Sequence, residues 1–271
     1  MRKSIVPLAF AAAASASGIA SAQQAASTPP ASPVTGNVTL ASEYRFRGID
    51  QTFGKPAIQG GFDYAHSSGF YVGNWNSNVN QFAGYPGANI EMDFYGGYKK
   101  AFGDFGLDVG AIYYYYPGSD ASLLGAANPH TSKTNSGTVH NTEFYVGGSW
   151  KWLSLKWFHA ISDYFMLPDT KGTNYLDFSA NYDLGRGWGI VGHVGKLNVH
   201  NYSEANYTDY KLGITKDWTG WLLGAALVGT NAKGDCPFNP TTSPYCFLNT
   251  SATKERDAGR TTLVLSIGKT F

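Results

Sequence analysis

From Val38 to the final Phe271 the sequence keeps returning to one motif, a short stretch in which apolar or aromatic side chains alternate with small or polar ones. Side chains on a β-strand point to opposite sides with period two, so each such stretch predicts a strand with one greasy face. The last stretch is representative. Thr261, Leu263, Leu265, Ile267, Lys269 and Phe271 fall on one side, and Arg260, Thr262, Val264, Ser266, Gly268 and Thr270 on the other. Alone, this strand fits a half-buried sheet in a soluble domain. Its repetition, and the aromatic on which the chain stops, fit the closing strand of a membrane barrel better.

The first strand predicted sets Val38, Leu40, Ser42, Tyr44 and Phe46 against Thr39, Ala41, Glu43, Arg45 and Arg47. Ile58, Phe62 and Tyr64 oppose Gln59 and Asp63; Ile90, Met92, Phe94 and Tyr98 oppose Glu91, Asp93, Tyr95 and Lys99. The pattern returns from Leu107 to Tyr115 and from Glu143 to Lys151, with further strands expected at 71–78, 154–162, 174–182, 189–198, 208–216 and 221–230. With the closing strand this makes about twelve, each near the roughly 9 to 11 residues a tilted strand uses to cross a bilayer. The connections alternate in length. Those at 66–69, 100–104, 151–153, 183–187 and 217–220 are short, whereas 49–56, 79–88, 117–139, 163–173, 199–207 and 231–259 are longer. Bacterial barrels alternate short periplasmic turns with long extracellular loops, and a soluble sandwich has no reason to. Trp75, Tyr113 to Tyr116, Trp150, Trp152, Trp157, Trp188, Trp218 and Trp221 are expected to form interfacial girdles. A sheet edge facing lipid leaves backbone groups unpaired at several kcal/mol each, so the sheet must close. The expected fold is all-β, a closed antiparallel transmembrane β-barrel of about twelve strands spanning 37–271.

The amino-terminal end reads as an export signal. Arg2 and Lys3 precede an apolar run from Ile5 and the small triplet Ala20, Ser21, Ala22, which predicts a signal peptide over 1–22 cleaved after Ala22. Residues 23–36, rich in Ala, Ser, Thr and Pro, are expected to be a flexible periplasmic lead-in. The protein is therefore expected in the outer membrane of a Gram-negative bacterium. Without Arg2 and Lys3, 18 basic residues face 19 acidic ones, so no single-sign field points to nucleic acid. After an export signal, Cys236 and Cys246 are expected to form a disulfide across a loop. No metal cluster or cofactor motif is legible.

Several segments together resemble the TorF family of proteobacterial porins. They are Asn37 through Thr52, with its Tyr44-Arg-Phe-Arg-Gly48 core, 56–66, 69–75, Tyr95-Gly-Gly-Tyr98, Asp108-Val-Gly110, Tyr115-Tyr-Pro117, 162–165, 193–195 and 209–213. The resemblance covers nearly all of the chain after the signal and implies an outer-membrane pore whose substrate the family does not define. The insertions around 119–137 and 233–258 are larger than in that family.

Face assignment predicts a pore lined by Glu43, Arg45, Arg47, Asp63, Glu91, Asp93, Lys99, Asp108, Glu143, Lys156, Asp177, Asp209, Lys211 and Arg260, together with Gln59, Asn74 and Asn76. Arg45, Arg47 and Arg260 are expected on one wall as a basic strip opposite Glu91, Asp93 and Asp108, orienting small polar or charged solutes in passive diffusion. Mutual neutralisation is the competing reading. Leu263, Leu265, Ile267 and Phe271 are the expected assembly signal, read by the barrel assembly machinery, with the bilayer and lipopolysaccharide as surroundings. A barrel plugged by its own side chains, serving a structural or adhesin-like role, is the alternative. A lipid hydrolase is the weakest reading, because no Ser, His and acid stand at a spacing that predicts a nucleophile and base, and His193 shows no acid partner in sequence.

Overall fold

A computed structural model describes residues 32–125 and 127–271, so the expected signal peptide lies outside the described residues. Twelve of the strands form the wall: β1 (Val34–Ala41), β2 (Ala57–Ala65), β3 (Phe70–Asn78), β4 (Ile90–Phe102), β5 (Phe105–Tyr115), β6 (His140–Trp150), β7 (Leu153–Ala160), β8 (Asn174–Gly185), β9 (Trp188–Asn198), β10 (Tyr207–Trp218), β11 (Trp221–Thr230) and β12 (Thr262–Thr270). Each pairs antiparallel with its neighbours, and β1 pairs with both β2 and β12, so the sheet closes. The seam runs from Asn37 opposite Thr270 to Ala41 opposite Ser266, and Gly36 and Phe271 exchange backbone hydrogen bonds at its end. Among the described residues no helix is long and apolar enough to cross a membrane.

The outer face is what period two requires. Leu40, Ile58, Phe62, Leu212 and Leu265 point outward at 50–68% exposure, and Leu263, Ile267 and Phe271 join them at the seam. Trp150, Trp152, Trp188, Trp218 and Trp221 gather outside the short turns. A continuous apolar band of this extent has no place in water and matches a bilayer.

Three local expectations are corrected. The wall begins at Val34, opposite Tyr64, so the end of the expected lead-in is already strand. The first strand does not run through to Arg47. Ser42 still bonds Leu265, but from Glu43 the chain turns into the barrel, and Tyr44 and Phe46 are buried there instead of facing lipid. The physical cause is the pair Arg47-Gly48, with φ of 47° and 80°, which makes a two-residue hairpin loop between Phe46 and Ile49. On β3 the phase is inverted. Asn74 and Asn76 face outward with Phe70 and Val72, whereas Trp75 points inward against Tyr44, 5.4 Å between ring centroids. The outward carboxamides are satisfied locally. Asn76 donates to Asn74 (2.6 Å), Asn74 to the Asp93 carbonyl (3.0 Å), and Asn76 also to the Gly60 carbonyl (3.3 Å).

Candidate functional site: the interior of the barrel

The two halves of the lumen differ. At the end carrying the long loops, segment 42–56 folds inside and fills the barrel with buried aromatic rings. Phe46 meets Tyr114 and Phe165 edge-on (5.5 and 5.7 Å), and Tyr85 stacks on Tyr116 at 3.7 Å. Toward the short turns the inward positions carry small or polar residues, among them Ala101, Gly106, Ser149, Ser154 and Asn181, none of them buried. The first half is packed and the second is a water-accessible vestibule.

Charged side chains hold the inward segment. Arg45 is 2% exposed and donates to the carbonyls of Gly48, Ala258 and Arg260 (2.9–3.1 Å) and to Glu43 (2.8 Å). Arg260 bridges Glu43 and Asp50, both at 2.8 Å, tying 42–56 to the last long loop. Arg47 crosses to β6, where it meets both carboxylate oxygens of Glu143 (2.7 and 3.0 Å) and the Tyr164 hydroxyl (3.1 Å), with its guanidinium 4.1 Å from the Tyr175 ring centre. The expected basic strip is therefore corrected. Arg45 and Arg260 share Glu43 beside the seam, Arg47 reaches the far wall, and none of the three faces Glu91, Asp93 or Asp108. Burying an unpaired guanidinium costs several kcal/mol, so each arginine sits where a carboxylate compensates it.

Below the packed half, strand register places charge in a belt. Lys99 opposes Asp108, Asp108 opposes Gly147, Gly147 opposes Lys156, Lys156 opposes Asp177, Asp177 opposes Gly195, and Gly195 opposes Asp209. Lys156 donates to Asp108 at 2.6 Å, with Lys99 3.9 Å away on the same carboxylate. Tyr71 donates to Asp108 and contacts Tyr145, and Tyr95 donates to Asp63, both carboxylate bonds at 2.6 Å. Lys211 lies opposite His193 on the inner wall of β10. At 12–20% side-chain exposure, Lys99, Asp108, Lys156, Asp177 and His193 border the vestibule.

His193 corrects another expectation, since two acids flank it: Asp209 2.7 Å from Nε2 and Asp177 3.4 Å from Nδ1. Ser179 Oγ lies 3.2 Å from Nδ1, which gives the order serine, histidine, aspartate. Ser179 donates its hydroxyl to Asp177 (2.6 Å), however, so its hydrogen points away from the imidazole that would have to accept it. The ring braces two acids. This cluster was illegible in sequence because its members come from β8, β9 and β10; the signal available was the phase that turns Tyr175, Asp177, His193 and Asp209 to one side. Cys236 and Cys246 are joined in a disulfide within the last long loop.

A closed twelve-stranded wall, apolar outside and charged inside, defines a transmembrane β-barrel of the outer-membrane kind. The chain belongs to the family described as "Bacterial protein of unknown function (Gcw_chp)", which matches residues 23–271. Among solved structures it is similar to the KdgM porin (7% identity, 88% of this chain and 98% of that one, TM-score 0.48). It is similar also to the NanC porin (10% identity, 88% and 98%, TM-score 0.48) and a Pseudomonas aeruginosa FadL homologue (12% identity, 88% and 89%, TM-score 0.44). A search of curated proteins found no match. The assignment to barrels rests on the strand pairing above.

Proposed function

We propose that the protein is an outer-membrane channel for small polar or charged solutes, of the TorF porin type, whose extracellular half is gated by segment 42–56. The long-loop end faces the exterior and the short turns face the periplasm. The barrel sits in the bilayer with lipopolysaccharide around its outer rim, placed there by the assembly machinery through the seam strand and its residues Leu263, Leu265, Ile267 and Phe271. The belt from Lys99 to Asp209, with Asp63 and Lys211, lines the solute path; Glu43, Arg45, Arg47, Glu143 and Arg260 hold the gate.

One observation carries this reading. The segment that closes the lumen is not wall: it is a separate hairpin held inside by ion pairs, so its release would leave the strand pairing of the closed wall intact. The same burial favours a second reading, a permanently plugged barrel with a structural or surface role. Swelling of liposomes in graded sugars and amino acids separates the two. The native barrel should admit small solutes slowly, and a variant with 44–52 replaced by a short Gly-Ser link should admit them fast. If the shortened barrel, shown to be folded, admits none, the channel reading is wrong and the plugged one stands.

A further inference from the structure

Two carboxylates in the packed half have no basic partner. Glu91 and Asp93 project inward from the start of β4 and are both 0% exposed, yet no ion pair among the described residues involves either. Every other buried acid of this half has one: Glu43 and Asp50 hold Arg260, and Glu143 holds Arg47. Tyr44 donates its hydroxyl to Glu91 Oε1 at 3.2 Å, and the two carboxyls and the Tyr116 hydroxyl stand close to one another. Among the described residues Glu91 Oε2 and both oxygens of Asp93 are buried without a well-formed hydrogen bond.

A separate side chain shows the same vacancy in hydrogen bonding. Tyr116 is 0% exposed, its hydroxyl makes no well-formed hydrogen bond among the described residues, and it stands within reach of Glu91 at the neighbouring strand end, one residue past Tyr115, which opposes Met92. Tyr85, stacked on Tyr116, closes the same side. The cross-strand neighbours of Asp93 are Trp75 and Tyr114, and that of Glu91 is Ser77, so the wall supplies no cation. Two ionised acids enclosed by rings cost several kcal/mol each without compensation. The oxygen atoms gathered here, four from carboxylates and one from a phenol, are the hard donors that a divalent ion such as Ca²⁺ or Mg²⁺ takes.

We propose that Glu91, Asp93 and the Tyr116 hydroxyl form a buried site for one hard divalent cation inside the barrel. A dication balances the charge of the carboxylate pair and uses the oxygens that the protein leaves unmet. Because Tyr44 of the inward segment touches the same carboxylate, the ion also fastens segment 42–56 in place. The site does not depend on the channel reading, since a plugged barrel would hold the ion equally well.

Terbium tests this directly, because Trp75 and the surrounding tyrosines can sensitise its emission. Protein refolded with Ca²⁺ at neutral pH should carry one Ca²⁺ per barrel by elemental analysis. Barrel refolded in EDTA and then given Tb³⁺ should show sensitised emission that Ca²⁺ displaces. Glu91→Gln/Asp93→Asn should abolish that emission, and Tyr116→Phe, which removes only a hydroxyl, should weaken binding about tenfold. Circular dichroism and heat-modifiable migration confirm that each variant is folded. Absence of a stoichiometric ion in the native barrel overturns the proposal, the carboxyls then being held protonated. Emission of equal strength in the double variant overturns it as well, since the ion would sit elsewhere.

Discussion

Replacing Arg47 is the sharpest probe of the proposed gate. The side chain is 2% exposed and makes a two-pronged pair with Glu143, itself 1% exposed. Arg47→Ala leaves that carboxylate enclosed and uncompensated, which costs about 3–5 kcal/mol when one partner of a buried pair is removed. It also removes the contact with the Tyr175 face, which for a desolvated cation contributes about 2 kcal/mol. These contacts exist only while 42–56 lies inside, so their loss acts on the inward state alone. At 1.4 kcal/mol per factor of ten, the lower bound shifts the balance between inward and outward segment by roughly 10²-fold. Planar-bilayer recording of the purified variant should show long-lived open levels that are rare in the native barrel. Arg47→Ala/Glu143→Ala, which leaves no orphaned charge, should open less than the single variant. A folded Arg47→Ala barrel with native open probability would refute the reasoning, because the pair would then not be what holds the segment.

Two further outcomes test the wall and the last loop. Leu265→Arg places a charge on the outward face of the seam strand, where Leu265 is 51% exposed; in lipid this should cost about 2–4 kcal/mol of barrel stability in urea unfolding from vesicles, whereas a water-facing surface would register almost nothing. Reducing the Cys236–Cys246 disulfide releases a short loop closed by a bond whose chain-entropy worth is at most about 3 kcal/mol. Proteolysis should then nick 236–246 faster while the unfolding midpoint of the barrel stays put, and a large fall in that midpoint would show the loop to be part of the wall's cooperative unit.

The parts of the fold legible in sequence were those decided by a local rule. Leu263, Leu265 and Ile267 had to share a face, as did Glu91, Asp93 and Lys99, because the alternation of a strand does not depend on what surrounds it. Connection lengths followed from the same stretches. The errors arose where local pattern and chain path part company. Tyr44-Arg-Phe-Arg47 alternates as well as any wall strand, and only the Arg47-Gly48 turn marks it as a hairpin. On β3, Asn74 and Asn76 looked like lumen residues because a lone carboxamide in lipid is costly; the price falls when each finds the other and a neighbouring carbonyl, which depends on register with β2 and β4.

The sequence by itself determined that this chain makes a closed sheet with a lipid-facing exterior and a charged interior, because strand periodicity and the need to satisfy every backbone group leave a bilayer-spanning chain no other form. Which charges meet inside was decided only by the tertiary structure. Arg47 finds Glu143, His193 finds Asp177 and Asp209, and Glu91 and Asp93 are left without a base, because closure brings together residues far apart in sequence and the inward turn at Glu43 carries arginines off the wall. Electrostatic partners are fixed by distance across the lumen, and no period in the chain encodes that distance.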